Sequence, residues 1–363
     1  NKNQDYLLAL ISCYQSLSSL KNEITSLNTY VSNNKEFNNL LNLQLRELND
    51  EKRISKGIKK LGNIKDYTSK EVKIQYELNP YPRWRYNSYS KEKKLHFLSV
   101  INSEIYPNII TSNSIKLKNR KINVLIAGCG TGIQIIEASR YENCEIIAID
   151  LSNSSISYAK RKVDEYGLNN VSFIEMDLLE LASLNKKFDL IECSGVLHHM
   201  NDPNMGLSNL LNVLEPGGFL KLGLYSKYAR KEIIKAREII KEKDIKPNVD
   251  EIRSFRNNVL NGDMKELNKI TNWSDFYSTS MCRDLCFHSQ ETCYSLIEIK
   301  DILEENSLEF LGFILSKDVI DKYQSNYKEI ELLKDLHLWH KFEKLNPNTF
   351  REMYQFWSRK SVE

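Results

Sequence analysis

Apolar positions recur with two different periods along this chain. Over residues 1–60 they fall at helical spacing, with Leu7, Leu10, Ile11, Tyr14, Leu17 and Leu20 among polar neighbours and no glycine before Gly57. This spacing predicts a small all-helical region, broken near the asparagine-rich stretch 28–34. From residue 122 the pattern shifts to short β-branched runs, as expected of strands buried on both faces. Ile122, Val124 and Ile126 open the first, and residues 145–150, 171–177, 188–193 and 219–224 supply four more. Residues 308–315 and 353–358 read as a sixth and a seventh, closing the sheet as a last hairpin. Between them, 296–305 and 328–345 carry helical patterns, the latter with Trp339 and Phe342 on its apolar face.

The first strand ends in Gly128, Gly130 and Gly132, and a helical pattern with Ile133 and Ile136 follows. Strand, glycine turn and helix are the parts of a nucleotide-cofactor site. Glycine lets the backbone approach a ligand, and a helix N-terminus offers unpaired N–H groups. The third glycine comes one residue too early for the dinucleotide fingerprint G-x-G-x-x-G. Asp150 closes the second strand, where a carboxylate can take both ribose hydroxyls of an adenosine. Asp177 closes the third. Helix capping or turn formation would also use an acid at either place.

The fourth strand leads through Cys193 and Ser194 into Gly195, Leu197, His198 and His199, and Pro216, Gly217 and Gly218 precede the fifth. This ordered series resembles the class I S-adenosylmethionine-dependent methyltransferases. It implies an α/β fold with a Rossmann-like seven-stranded sheet, and S-adenosyl-L-methionine as cofactor. On that resemblance Gly128, Cys129, Gly130 and Gly132 line the methionine half of the cofactor. Asp150 binds the ribose, Leu151 lies against the adenine, Met176 is a further cofactor contact, and Asp177 accepts from the adenine amino group near the Leu178 amide. Cys193 and Ser194 face the sulfonium. From about residue 70 onward the chain looks like a bacterial family of these enzymes that often carries N-terminal tetratricopeptide-like helices. The first 60 residues match more weakly, and a plain helical cap is the equal reading there.

Residues 75–84 change character, since Pro80 and Pro82 hold them extended. The Asn79-Pro80 stretch resembles in part the loop of amino-group DNA methyltransferases, but that loop follows the fourth strand, a place taken here by 193–199. As a segment ahead of the first strand it can close over the cofactor, with Tyr76 or Arg83 on the methionine carboxylate and Trp84 on the sulfonium. A packed extended linker is the alternative.

Methyl transfer from a sulfonium is an in-line displacement and needs a base only if the acceptor is protonated at neutral pH. His198, Tyr225 and His288 are the candidate catalytic residues, with a structural role for the histidines as alternative. Arg230, Arg283, Asp284 and Glu291 are candidates for holding the acceptor. Two arginines suit a carboxylate or phosphate, and a structural ion network of Arg283, Asp284 and Glu291 is the alternative. Cys282, Cys286, Cys293 and His288 lack a zinc-knuckle spacing, and no metal is expected.

Composition adds limits. Across 363 residues, 51 basic against 48 acidic side chains leave +3, too balanced for a nucleic-acid field. The basic runs 91–94 and 227–246 read as solvated faces. No apolar run approaches the roughly 20 residues that span a bilayer, so no membrane partner is expected. Seven scattered cysteines suit a reducing cytoplasm. The first residue is Asn, so a lost leader remains open.

The organisation expected is a helical N-terminal region over 1–74, a lid or linker over 75–120, a methyltransferase core over 121–225 and 292–363, and a helical insertion over 226–291 capping the acceptor pocket. The function expected is methyl transfer to a small molecule or peptide side chain, with the helical region open to a protein partner. A non-catalytic S-adenosylmethionine-binding sensor is the alternative. A nicotinamide-dependent oxidoreductase is disfavoured by the glycine spacing.

Overall fold

A computed structural model describes residues 2–20, 22–87, 94–111 and 120–362. Of the basic run at 91–94, all but Lys94 lie outside the described residues, as does part of the 75–120 segment. Nine strands are present among them: β1 Lys59–Lys60, β2 Ile122–Ala127, β3 Cys144–Asp150, β4 Val171–Glu175, β5 Phe188–Ser194, β6 Leu214–Ser226, β7 Cys293–Tyr294, β8 Leu308–Phe313 and β9 Tyr354–Lys360. They join in the order β1-β4-β3-β2-β5-β6-β9-β8, with β7 beside the end of β6. All pairings are parallel except β6 with β9 and β8 with β9.

Seven of these strands make the expected sheet, and β1 and β7 are two-residue additions to it. One expectation needs correction. β8 and β9 are antiparallel neighbours but not a tight hairpin, because helices Lys317–Asn326 and Leu336–Leu345 intervene. That excursion buries Tyr323 flat on Trp339, with ring centroids 3.6 Å apart.

Alternation along β2 explains why both sheet faces are covered. Leu125 and Ala127 enter one core, together with helices Pro203–Val213, Leu296–Glu305 and Leu336–Leu345. Val124 and Ile126 enter the other, with Ile135, Ile136, Ile156 and Phe97. A run apolar at every position is what a parallel strand with helices on both sides requires.

Chain order reverses at β2: β3 and β4 lie to one side, and β5 and β6 return on the other. The carboxyl edge at this switch leaves a crevice, the usual ligand position of an open α/β sheet.

Two further helical bodies have cores of their own. Residues 231–287 gather Ile233, Ile252, Phe255, Leu267, Phe276 and Leu285 around their own core, in which Cys282 and Cys286 are also buried. The N-terminal helices close a smaller one from Leu17, Leu27, Phe37, Leu41 and Leu45. Helix Glu47–Ser55 is tied to helix Asn153–Glu165 by Arg161, whose guanidinium lies 3.0 Å from Glu51 and 3.1 Å from Glu47. No described helix is long and apolar enough to cross a membrane.

Candidate active site

A cavity of 940 Å³ occupies the carboxyl edge. Its floor is the glycine loop. Gly128, Gly130 and Gly132 have φ of +71°, +49° and +91°, a region side chains other than glycine rarely enter. A Cβ on Gly128 would stand 2.2 Å from Val196 Cγ2, and one on Gly132 would stand 2.8 Å from Ala159 Cβ. These two allow close packing inside the protein. A Cβ on Gly130 would meet nothing nearer than Tyr81 O at 3.7 Å, so there the backbone is open to the cavity.

Asp150 joins the wall at the end of β3 and accepts from Gly130 N and Ser152 N, both at 2.8 Å. Burial outweighs these two bonds and pushes its pKa up to about 6. Asp177, just past β4, caps the turn that follows by accepting from Leu179 N at 3.0 Å. Its pKa is raised too, by burial. Leu151, Met176 and Leu178 fill the wall between the two acids. Capping and cavity lining therefore coincide at Asp177, because a carboxylate has lone pairs for both.

Beyond β5, Ser194 lines the cavity, and its carbonyl accepts from Gln134 Nε2 at 3.1 Å. Gln134 Oε1 is buried without a partner among the described residues. A buried amide oxygen left open beside a glycine loop fits a ligand with an N–H donor. Gly130, Asp150, Asp177 and Gln134 together suit an adenosyl amino-acid cofactor.

The opposite wall comes from helix Tyr67–Leu78, the segment just after it and the body over 231–287. Tyr76 O–H donates to Asp284 Oδ1 at 2.9 Å, and Tyr81 O–H donates to Asp275 Oδ2 at 2.8 Å. Tyr225 and Arg230 also line the cavity. Arg230 is clamped bidentately by Glu291, at 2.9 and 2.7 Å, and lies 3.6 Å over the Tyr225 ring.

Several candidates from the sequence stand elsewhere, and these placements correct the expectation of a cavity role. Arg83 does not line the cavity; it binds Glu51 through both carboxylate oxygens at 3.0 Å and covers the Tyr158 ring at 4.6 Å. Trp84 lies behind the glycine loop, donating to Thr131 O at 3.0 Å. Cys193 is fully buried in the sheet core, and burial pushes its thiol up to about 12. Arg283 and Glu291 are outside the lining, the latter behind Arg230.

His198 is 0% exposed and stacks on Tyr225 at 3.8 Å, while His288 stacks on His199 at 3.7 Å. Both sit one layer back, and burial holds both well below the usual imidazole pKa. The histidine that reaches the cavity is His199. Of adjacent residues in a short helical turn, only one can face a given side, and sequence cannot say which. Ser69, Gln134, Trp273, Asp275, Arg351 and Met353 also line the cavity. Gln134 alone carried a signal, being the second residue of the helix after the glycines.

The fold and this edge define a Rossmann-like α/β architecture with its cavity at the carboxyl ends of the strands. Residues 124–218 match the model of a family described as a methyltransferase domain. An uncharacterised protein of Synechococcus is 30% identical over 236 residues, 58% of this chain and 57% of its own length. A ubiquinone biosynthesis O-methyltransferase of Coxiella burnetii is 30% identical over 135 residues, 37% of this chain and 54% of its own. The chain thus spans little more than half the length of these curated relatives. Among solved structures, PKMT2 from Rickettsia typhi, in complex with AdoHcy, is similar in fold at 18% identity. Its TM-score is 0.50, over 66% of this chain and 49% of that one.

Proposed function

We propose that the protein is an S-adenosylmethionine-dependent methyltransferase acting on a small molecule or peptide side chain. The observation that carries this reading is the convergence of the glycine loop, Asp150 and Asp177 on one cavity at the switch of the sheet. When bound, the cofactor supplies a methyl group activated on a sulfonium. Asp150 takes the ribose hydroxyls, Asp177 accepts from the adenine amino group, and Leu151, Met176 and Leu178 flank the base. Gln134 Oε1 accepts from the amino-acid end. Tyr76, Tyr81 and Tyr225 enclose the acceptor and exclude water, so that orientation lowers the barrier. His198 and His288 act through Tyr225 and His199, which they stack against. The same reading sets the protein in a bacterial cytoplasm and gives its helical N-terminal region a protein partner.

Incubation with methyl-labelled S-adenosylmethionine and a peptide and metabolite library tests it. Label should reach an acceptor with the native chain and not with Asp150→Ala. Binding of the cofactor with no label transferred to any member would favour a sensor instead.

A further inference from the structure

We propose that the methyl acceptor is an amine, recognised by Asp284 and His199. This rests on the methyltransferase reading and narrows it to a substrate class. The argument turns on which polar groups of the wall are already committed. Arg230 is satisfied by both oxygens of Glu291, with the two side chains 4% and 1% exposed. Arg351 lies 4.9 Å over the Trp273 ring and donates to Asn272 O. Lys221 stands between Glu104 and Glu192, at 3.3 and 3.6 Å. Arg230 and Lys221 are thus matched by carboxylates, while Arg351 is exposed to solvent and meets a ring and a carbonyl rather than an acid.

The carboxylates differ. Asp284 and Asp275 each receive a tyrosine hydroxyl, and neither has a cation within 4 Å among the described residues. Burial pushes Asp284 up to about 6, outweighing the Tyr76 hydrogen bond and the nearby charge of Arg230, which both lower it. A cationic ligand would offset that cost.

His199 is an independent observation. It is 7% exposed and lines the cavity, and its Nδ1 lies 2.7 Å from Gln290 O. A carbonyl can only accept, so Nδ1 carries the proton and Nε2 keeps its lone pair. Nε2 has no partner among the described residues. A carboxylate and an imidazole nitrogen, both accepting, match a cationic N–H donor and repel a carboxylate or phosphate.

The amine arrives as an ammonium paired with Asp284 and loses one proton to water. Its nitrogen lone pair then forms the N–C bond to the methyl carbon while the C–S bond breaks. That bond's electron pair returns to sulfur, leaving a neutral thioether. The N-methylammonium keeps the positive charge beside Asp284.

The test uses the full chain, labelled S-adenosylmethionine and two amine sources, putrescine and a lysine-containing peptide. Their acetylated forms and 4-hydroxybenzoate serve as non-amine arms. Label should enter one amine arm and not its acetylated form, a comparison that needs no variant. Asp284→Asn should lower kcat/KM for that amine at least about tenfold, and Asp284→Glu should recover part of it, while affinity for S-adenosylhomocysteine stays within about twofold. Label in 4-hydroxybenzoate, or in no arm although S-adenosylhomocysteine binds, overturns the proposal. So does an Asp284→Asn variant that loses cofactor affinity instead. A native chain that binds no S-adenosylhomocysteine defeats the underlying methyltransferase reading.

Discussion

Tyr76 and Asp284 lie 208 positions apart and meet through a 2.9 Å hydrogen bond across the cavity mouth. Tyr81 and Asp275 repeat the arrangement at 2.8 Å. The first bond joins the last turn of helix Tyr67–Leu78 to the helical insertion, and the second joins the segment just after that helix to it. A hydrogen bond to a buried carboxylate contributes about 1.5–3 kcal/mol. Replacing both tyrosines by Phe should therefore loosen the closure, and hydrogen exchange should quicken in 67–87 and 275–287 together. Faster exchange in one segment alone would contradict the coupling.

Glu291→Gln should be among the most damaging single changes. It leaves the Arg230 guanidinium buried and without a counter-charge, a change that costs about 3–5 kcal/mol. Denaturant unfolding would measure it. A loss below about 1 kcal/mol, the range of surface pairs, would show the pair to be solvated.

The glycines separate packing from ligand access. Gly128→Ala drives a methyl group into Val196 and should destabilise the fold by about 2–4 kcal/mol. Gly130→Ala meets open space at φ +49° and should cost only about 1 kcal/mol, yet it narrows the approach to the cavity. Its midpoint of unfolding should stay near that of the native chain while S-adenosylhomocysteine affinity drops. The reverse ranking would reject these roles.

Sequence reaches the fold because strand alternation, glycine turns and acids at strand ends are local signals. β2 to β6 and the glycine loop could be placed from them. The orientation of 75–84 could not, since Arg83 is drawn away by Glu51, 32 residues earlier, and by Tyr158. Arg230 shows the same limit: its place in the wall follows from the end of β6, but its neutralisation by Glu291 is a contact 61 residues distant. The adjacent pair His198 and His199 is divided by about a third of a turn of backbone, which no composition or period specifies.

Asp150 gives the site a pH signature. Its pKa in the folded, ligand-free protein is about 6, above the ordinary 3.8. The stabilisation from holding that proton is complete below pH 3.8 and gone above about 6. Ribose hydroxyls donate to the ionised form, so binding must expel the proton. Affinity for S-adenosylhomocysteine should be about tenfold weaker at pH 5 than at pH 7 and flat above. Calorimetry across that range checks it, and the slope should vanish in Asp150→Asn.

The central claim is that the carboxyl edge of β2, β3 and β4 holds an adenosyl group. Titration calorimetry of the native chain and Asp150→Ala with S-adenosylhomocysteine, and separately with NAD, measures this directly. One molecule of S-adenosylhomocysteine should bind the native chain, with no heat from NAD and none from the variant. Equal binding by the variant, or a preference for NAD, would contradict it.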